Sequence, residues 1–479
     1  MPEPSVQTYA ELIADLPTSQ HHVTLAELRG AVEANRRKVV VLDDDPTGCQ
    51  TVHDVPIYTV WDVGSLIEAL REPSCLFFIM INTRSLPEAE AVAINRQVVA
   101  NLAQAAKSVQ ADLTIVSRSD STLRGHYPAE TDALREELEA RLGWRVDGTL
   151  VIPFFAEGGR ITVGDVHWVR KGEQVIPAAS SEYARDPTFG YHHSDLREWV
   201  AEKTGGRMQA EEVLSLSLED IRVGGPHRIA ARLAELRGGR VGIVNAVIYE
   251  DMDIFVLGLL RAEAEGRRYL YRTGASFVRS RAAVEPRGLL TATELLPGAT
   301  RPVPGLVLVG SFVERSTEQL QRLLQLPGVR AIELQVTLII EDNSREAEIQ
   351  RVTSTAAETL CRGEIPVVYT TRRLIVGEKG ASLRVGQKVS SALVEIVRRL
   401  PVAPGWILAK GGITSHDIAT KALGVQRALV AGQIAPGVPV WILGRGSRFP
   451  ALPYVVFPGN VGQAETVAEV VQVLHRSKE

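Results

Sequence analysis

One pattern constrains this chain more than any other: a short apolar run stops at a polar loop, a helical stretch follows, and the unit repeats. Lys38–Leu42 (KVVVL) runs into Asp43-Asp44-Asp45-Pro46-Thr47-Gly48, and Cys75–Ile81 (CLFFIMI) runs into Asn82-Thr83-Arg84-Ser85 ahead of a helical stretch over Pro87–Ala105. Asp112–Ser117 (DLTIVS) runs into Arg118–Gly125, with a helix expected near Ala129–Leu142. Thr149–Phe155 precedes Gly158-Gly159-Arg160, and Val241–Ala246 reads as a later strand. Continuous apolar runs of this length read as strands buried on both faces. Strands that alternate with helices of about 10–15 residues are joined by crossovers and lie parallel. The expected fold class is α/β, with a doubly wound, mostly parallel sheet in the N-terminal half. Parallel strands end on one common edge, which is where such sheets bind ligands.

The pattern restarts after a stretch richer in Pro, Gly and Thr (EPRGLLTATELLPGATRPVP, from Glu285). Gly305–Val309 (GLVLV) ends at Gly310-Ser311, and a helix is expected over Thr317–Leu326. Further strands are expected at Ala331–Gln335, Pro366–Tyr369, Gly405–Ala409, Val438–Leu443 and Tyr454–Phe457. The expected organisation is an N-terminal domain over 1–285, a linker over 286–304 and a second α/β domain over 305–479.

The loops differ in chemistry between the halves. Three adjacent carboxylates after a buried strand repel one another unless something positive or polar meets them. Arg84, Arg124 and Arg160 each follow an expected strand, and arginine pairs bidentately with carboxylates and phosphates. Acids and arginines on one sheet edge suit a small hydroxylated anion. In the second half Gly310, Gly411-Gly412 and Gly459-Asn460-Val461-Gly462 each follow a strand. Glycine lets backbone N–H groups approach phosphate oxygens, and a helix N-terminus favours negative charge. Three such junctions point to a nucleotide. Neither GxxxxGK[ST] nor a helix-opening GxGxxG is present. The residues alone therefore give a two-domain α/β protein with an anion site and a phosphate site.

Composition narrows the setting. A net charge of −4 lacks the basic excess of a nucleic-acid-coating protein. Cys49, Cys75 and Cys361 show no CxxC spacing, so neither a disulfide framework nor a zinc site is expected. The opening MPEPSVQTYAELIADLP does not read as a secretory leader, and no apolar run approaches membrane-spanning length. A cytoplasmic protein without nucleic-acid or membrane partners is expected.

At these clusters the sequence resembles the four-carbon acid sugar kinase family over nearly its whole length. The resemblance is carried by DDDPTGCQT at Asp43–Thr51, DSTLRG at Asp120–Gly125, GGR at Gly158–Arg160 and ARDP at Ala184–Pro187. It continues with GS at Gly310–Ser311, KGGITS at Lys410–Ser415, PGVPVW at Pro436–Trp441 and GNVG at Gly459–Gly462. It departs at DDDPTGC, where many members carry ADDLTGA, at Ile413, where many carry a carboxylate, and at Asn245, where a strand-end aspartate is usual.

The resemblance implies an enzyme that transfers phosphoryl from ATP, with Mg²⁺, to a hydroxyl of a small acid sugar. Threonate, erythronate and 3-oxo-tetronate are substrates of this kind. The N-terminal domain would bind the acid, the C-terminal domain the nucleotide, and transfer would be in line between them. Asp44, Asp45 and Asp120 are the candidate catalytic carboxylates. Asp44, Asp45, Arg84, Arg124 and Arg160 are the candidate substrate contacts. Gly310, Ser311, Gly411, Gly412, Ile413, Thr414, Gly459 and Gly462 are the candidate nucleotide contacts. No dedicated metal cage is expected, and a homo-oligomer is compatible. Mutual repulsion is expected to raise the pKa of at least one clustered carboxylate, which would suit a base near neutrality. Asp45 is favoured, because Pro46 and Gly48 fix the loop around it. A catalytically silent nucleotide-binding regulator and a kinase of an uncharged polyol are the alternatives. The retained acids and arginines argue against both.

Overall fold

A computed structural model describes residues 4–310, 314–371, 381–459 and 461–475. The fold is of the α/β class, as the alternation of runs predicts. The chain divides into two compact units: one runs to Val52 and resumes over Val60–Pro286, and the other combines His53–Thr59 with the chain from Arg287.

The sheet of the first unit is built on β1 (Lys38–Asp43), β2 (Leu76–Met80), β3 (Leu113–Arg118), β4 (Gly148–Ile152) and β5 (Tyr269–Thr273). Its strand order is Leu214–Leu216, Arg240–Val244, β4, β5, β3, β1, β2. Every adjacent pair is parallel. From β2 the chain winds through β3 to β4, with helices Glu88–Val109 and Ala129–Leu142 between. It later turns back through helix Tyr249–Ala264 to insert β5 between β3 and β4. Right-handed crossovers in opposite directions place those helices on opposite faces. The expected strand Thr149–Phe155 stops at Ile152, where Pro153 has no N–H to continue the ladder. β5 lacks a clean apolar signature, since YLYRT carries an arginine inside a buried strand.

A second, antiparallel sheet in this unit joins Gln7–Thr8, Gln174–Pro177, Val166–Lys171 and Arg160–Val163. Its hairpin turns at Gly164-Asp165, both at positive φ (57° and 70°), the geometry that matches the twist of the strands it connects.

The sheet of the second unit is built on β6 (Leu306–Val309), β7 (Ile407–Lys410) and β8 (Pro453–Phe457). The order is Val55–Tyr58, Arg427–Ala435, Val438–Leu443, β8, β7, β6, Ile365–Thr370, Val329–Leu334. The first three joins are antiparallel and the rest parallel. Leu290 and Leu295, in the stretch expected to be a linker, are buried in this unit's core with Val307, Leu408, Phe457 and Val470.

Candidate active site

Three neighbouring strands of the first unit end level with one another. Asp43, the last residue of β1, stands opposite Met80 of β2 and Arg118 of β3. Main-chain bonds then stitch the following loops together. Ile81 and Asn82 donate N–H to the Asp43 carbonyl (3.0 and 3.1 Å), Asp44 donates to the Arg118 carbonyl (3.2 Å), and Arg84 donates to the Asp44 carbonyl (3.3 Å). The loops that follow β1, β2 and β3 are therefore one backbone structure.

Side chains complete it. Arg84 donates to both carboxylate oxygens of Asp44 (3.2 and 2.7 Å) and lies 3.5 Å from Asp45 and from Asp120. Ser119 Oγ donates to Asp44 (3.0 Å), and Arg124 Nε donates to Asp120 (2.7 Å). Asp44 is buried, whereas Asp45 and Asp120 are partly open. The arrangement alternates charge, Asp45 and Asp44 on Arg84, Arg84 on Asp120, Asp120 on Arg124. This changes the expected titration. Burial would raise the Asp45 carboxyl, but Arg84 and the Thr47 hydrogen bonds outweigh it and hold it low. Desolvation would likewise raise Asp120, yet Arg124 and Arg84 hold it far below the usual carboxylate range. The carboxyl that does rise is Asp43, pushed up to about 8 by burial against the pull of Arg118 (3.5 Å).

Arg160 stands elsewhere than expected. It opens the first strand of the small antiparallel sheet rather than lying on the main edge. Tyr183 nevertheless links it to Arg124: Arg160 Nη2 donates to the Tyr183 hydroxyl (3.3 Å), and both guanidiniums lie over that ring, at 5.6 and 5.1 Å. Asp186, in the ARDP segment, sits 3.6 Å from Arg124. His167 ties the small sheet to the DSTLRG loop through the Ser121 carbonyl (2.8 Å) and accepts from Thr162 (3.0 Å). Burial pushes this ring down to about 4, so it is neutral at physiological pH. Asp43, Arg118, Ser119, Tyr183, Asp186 and His167 were not among the candidates. Asp43 and Asp186 lie inside motifs that were singled out, and Arg118 and Ser119 lie in the loop Arg118–Gly125, so these four could have been found.

In the second unit β8, β7 and β6 are neighbours, and Lys410 pairs in register with Val309 on one side and Phe457 on the other. Gly310, the Gly411-Gly412 turn and Gly459 consequently follow from one edge. A Cβ on Gly310 would lie 2.2 Å from Thr414 Oγ1, so the two chain segments meet only because that residue is glycine. Gly411 has φ +110° and donates to the Phe457 carbonyl (2.8 Å). Lys410 is wholly buried, its Nζ donating to the carbonyls of Pro458 (3.0 Å) and Gly459 (3.3 Å). Ser316 donates to the Gly459 carbonyl (3.1 Å), and Gln319 holds the Val461 and Gln463 carbonyls on either side of Gly462. Ile413 is 59% exposed, a large apolar side chain presented outward from the turn. Ser311 lies outside the described residues.

Two family models match the chain in this arrangement. The model of a sugar-binding N-terminal domain matches residues 39–281, and that of a nucleotide-binding C-terminal domain matches residues 306–467. The chain belongs to the four-carbon acid sugar kinase family. A 3-oxo-tetronate kinase of Cupriavidus necator is 27% identical over 397 residues, 80% of this chain and 83% of that protein. A 3-oxo-isoapionate kinase of Paraburkholderia graminis is 24% identical over 298 residues, 59% of this chain, and the match spans 61% of that protein's length. These names support a sugar-acid kinase. Two solved structures share the fold at 18% identity. One, from Salmonella typhimurium LT2, has a TM-score of 0.65 and covers 92% of this chain and 99% of its own. The other, Haemophilus influenzae protein HI1011, has a TM-score of 0.61 and covers 90% and 99%.

The family implies a divalent ion with its nucleotide. Among the described residues no group of three or more His, Cys, Asp or Glu could hold a metal ion. Asp44, Asp45 and Asp120 of the first unit are engaged by arginines, and Asp417, near the glycine turn, pairs with Lys421 (2.7 Å) and accepts from Ser390. Among the described residues no helix is long and apolar enough to cross a membrane.

Proposed function

We propose that this protein is an ATP-dependent kinase that phosphorylates a hydroxyl of a four-carbon acid sugar. The acid would be bound by the first unit and the nucleotide by the glycine junctions of the second. The observation that carries this reading is the alternating Asp45–Asp44–Arg84–Asp120–Arg124 chain at one strand edge, in a family whose relatives are named sugar-acid kinases. Arg124 and Arg160, joined through Tyr183, would take the substrate carboxylate. Asp120 and Asp45 would receive its hydroxyls.

Asp45 is assigned to the attacking hydroxyl. Its side chain is 23% exposed, while that of Asp44 is 3% exposed and given over to Arg84 and Ser119. Arg84 and Thr47 keep Asp45 ionised, so it can always accept that hydroxyl's proton in a hydrogen bond. Phosphoryl transfer depends on positioning and charge neutralisation more than on a strong base. Mg²⁺ is proposed to arrive on the ATP phosphates, largely hydrated, and no step is assigned to it. The proposed setting is the cytoplasm, where ATP is supplied.

ADP release should be followed with ATP, Mg²⁺ and a panel of four-carbon acid sugars, each beside the counterpart with its carboxylate reduced to an alcohol. Turnover of one or more acids well above its alcohol is expected. Equal turnover of acid and alcohol would replace this reading with a polyol kinase, and no turnover of any would leave a nucleotide-binding protein.

A further inference from the structure

Arg272 is a cation buried where no cation is obviously needed. It lies in β5, between Ser117 of β3 and Val151 of β4 in register, and is 2% exposed. Among the described residues no carboxylate lies within ion-pair distance of it. Its guanidinium instead lies over the rings of Tyr127 and Trp199, at 5.4 and 5.1 Å, which stack on each other at 4.7 Å. Nη1 is buried with no hydrogen-bond partner among the described residues, and Nη2 donates to the Arg124 carbonyl at 2.9 Å. Asp44, Asp120 and Glu130 attract the guanidinium from beyond ion-pair distance, but burial outweighs them, and an apolar side chain would fill this aromatic niche at lower cost. Packing therefore does not explain the residue.

What it holds does. Leu123 and Gly125 both have positive φ (70° and 114°), so the Arg124 peptide sits between two left-handed residues. A non-glycine residue pays for that conformation and keeps it only if the surroundings impose it. A Cβ on Gly125 would lie 2.7 Å from Ser119 Oγ and 3.8 Å from Arg272 Nη2. The Arg124 carbonyl is gripped by Arg272, with Ser119 Oγ 3.3 Å away and its one proton given to Asp44. The direction of that carbonyl sets where the Arg124 side chain leaves the loop toward Asp120, Asp186 and Tyr183.

We propose that Arg272 is a positioning residue for the sugar-acid site, holding the Arg124 peptide so that its guanidinium meets the substrate carboxylate. This rests on the sugar-acid reading above. Unlike Arg124, it does so from beneath the loop, without touching substrate. Lysine at this position can donate one bond but cannot spread over both rings.

The test uses Arg272→Met, Arg272→Lys, Arg124→Lys and the Arg124→Lys/Arg272→Met double variant in the full chain. Arg272→Met should raise KM for the acid sugar by about tenfold or more, the scale of one lost charge-assisted hydrogen bond. KM for ATP should stay within about twofold, and Arg272→Lys should fall between Arg272→Met and wild type. If Arg272 acts through Arg124, the double variant should be no worse than Arg124→Lys, since coupled residues are non-additive. Hydrogen exchange of amides 120–126 should quicken in both Arg272 variants while that of β4 is unchanged. The proposal is overturned by a folded Arg272→Met with wild-type KM, by additive effects, or by exchange that rises equally across the unit. Should Arg272→Met fail to fold, Arg272→Lys decides by the same criteria. A wild-type protein that turns over no acid sugar would defeat the functional reading alone, and the exchange experiment would still judge the positioning role.

Discussion

Asp43 ends β1 fully buried, with one carboxylate oxygen lacking a partner among the described residues and the other near Arg118. Burial pushes this carboxyl from an ordinary 3.8 up to about 8. The folded protein thus holds the proton more tightly than the unfolded chain. Stability from this group is fully present below about pH 4 and is lost as pH rises toward 8. Asp43→Asn keeps the shape without the charge. In urea unfolding it should gain on wild type by at most ~1.4 kcal/mol per pH unit between pH 5 and 8, then level off. A difference that stays flat over this range would mean that Asp43 is ionised in the fold. Asp45 and Asp120 behave oppositely, held low because Arg84 lies among them. The kcat/KM profile should therefore show no acid limb from either carboxylate above pH 5. Asp45→Asn should cut kcat by about 10²-fold with KM for the acid largely kept. Near-wild-type kcat in this variant would place the hydroxyl's acceptor elsewhere.

Elements, more than residues, bring the site together, and here the sequence was most informative. Wholly apolar runs such as VVVL and LFFIM could only be buried strands, and their parallel order forces the polar residues that follow onto one edge. That much follows from pattern alone. β5 was illegible because Arg272 and Thr273 break its apolar run, although it fills the middle of the sheet. The small antiparallel sheet was illegible because its strands are short and half-exposed, and so Arg160 was set on the wrong sheet. Titration was legible only in part: repulsion from Asp44 and Asp45 does help burial to raise Asp43, but Asp45 and Asp120 are held low. Like charges adjacent in sequence repel only until the fold places a guanidinium between them, and that placement is a long-range contact. At the glycine junctions the element argument gives a sharp expectation. Gly310→Ala would drive a methyl carbon into Thr414 Oγ1 and spread β6 from the Gly411-Gly412 turn. ATP affinity measured by calorimetry should fall about tenfold or more, with the acid-sugar site unaffected. Unchanged affinity in a folded Gly310→Ala protein would remove this junction from the nucleotide site.

At the scale of the whole molecule, two units built on the same α/β logic carry opposite chemistry at their strand ends: acids and arginines in one, glycines and a buried lysine in the other. The two ligands should then leave separate footprints. In hydrogen exchange of the intact protein, an acid sugar should protect residues 43–51, 82–85 and 119–125. ATP should protect residues near 310, 411–414 and 459–462. The reverse pattern would exchange the roles of the units. The most direct measurement of the central claim is ³¹P NMR of wild-type protein with ATP, Mg²⁺ and four-carbon acid sugars including 3-oxo-tetronate. A phosphomonoester resonance should grow in step with ADP for at least one acid, with little inorganic phosphate. ATP left intact with every acid, or converted only to ADP and inorganic phosphate, would contradict it.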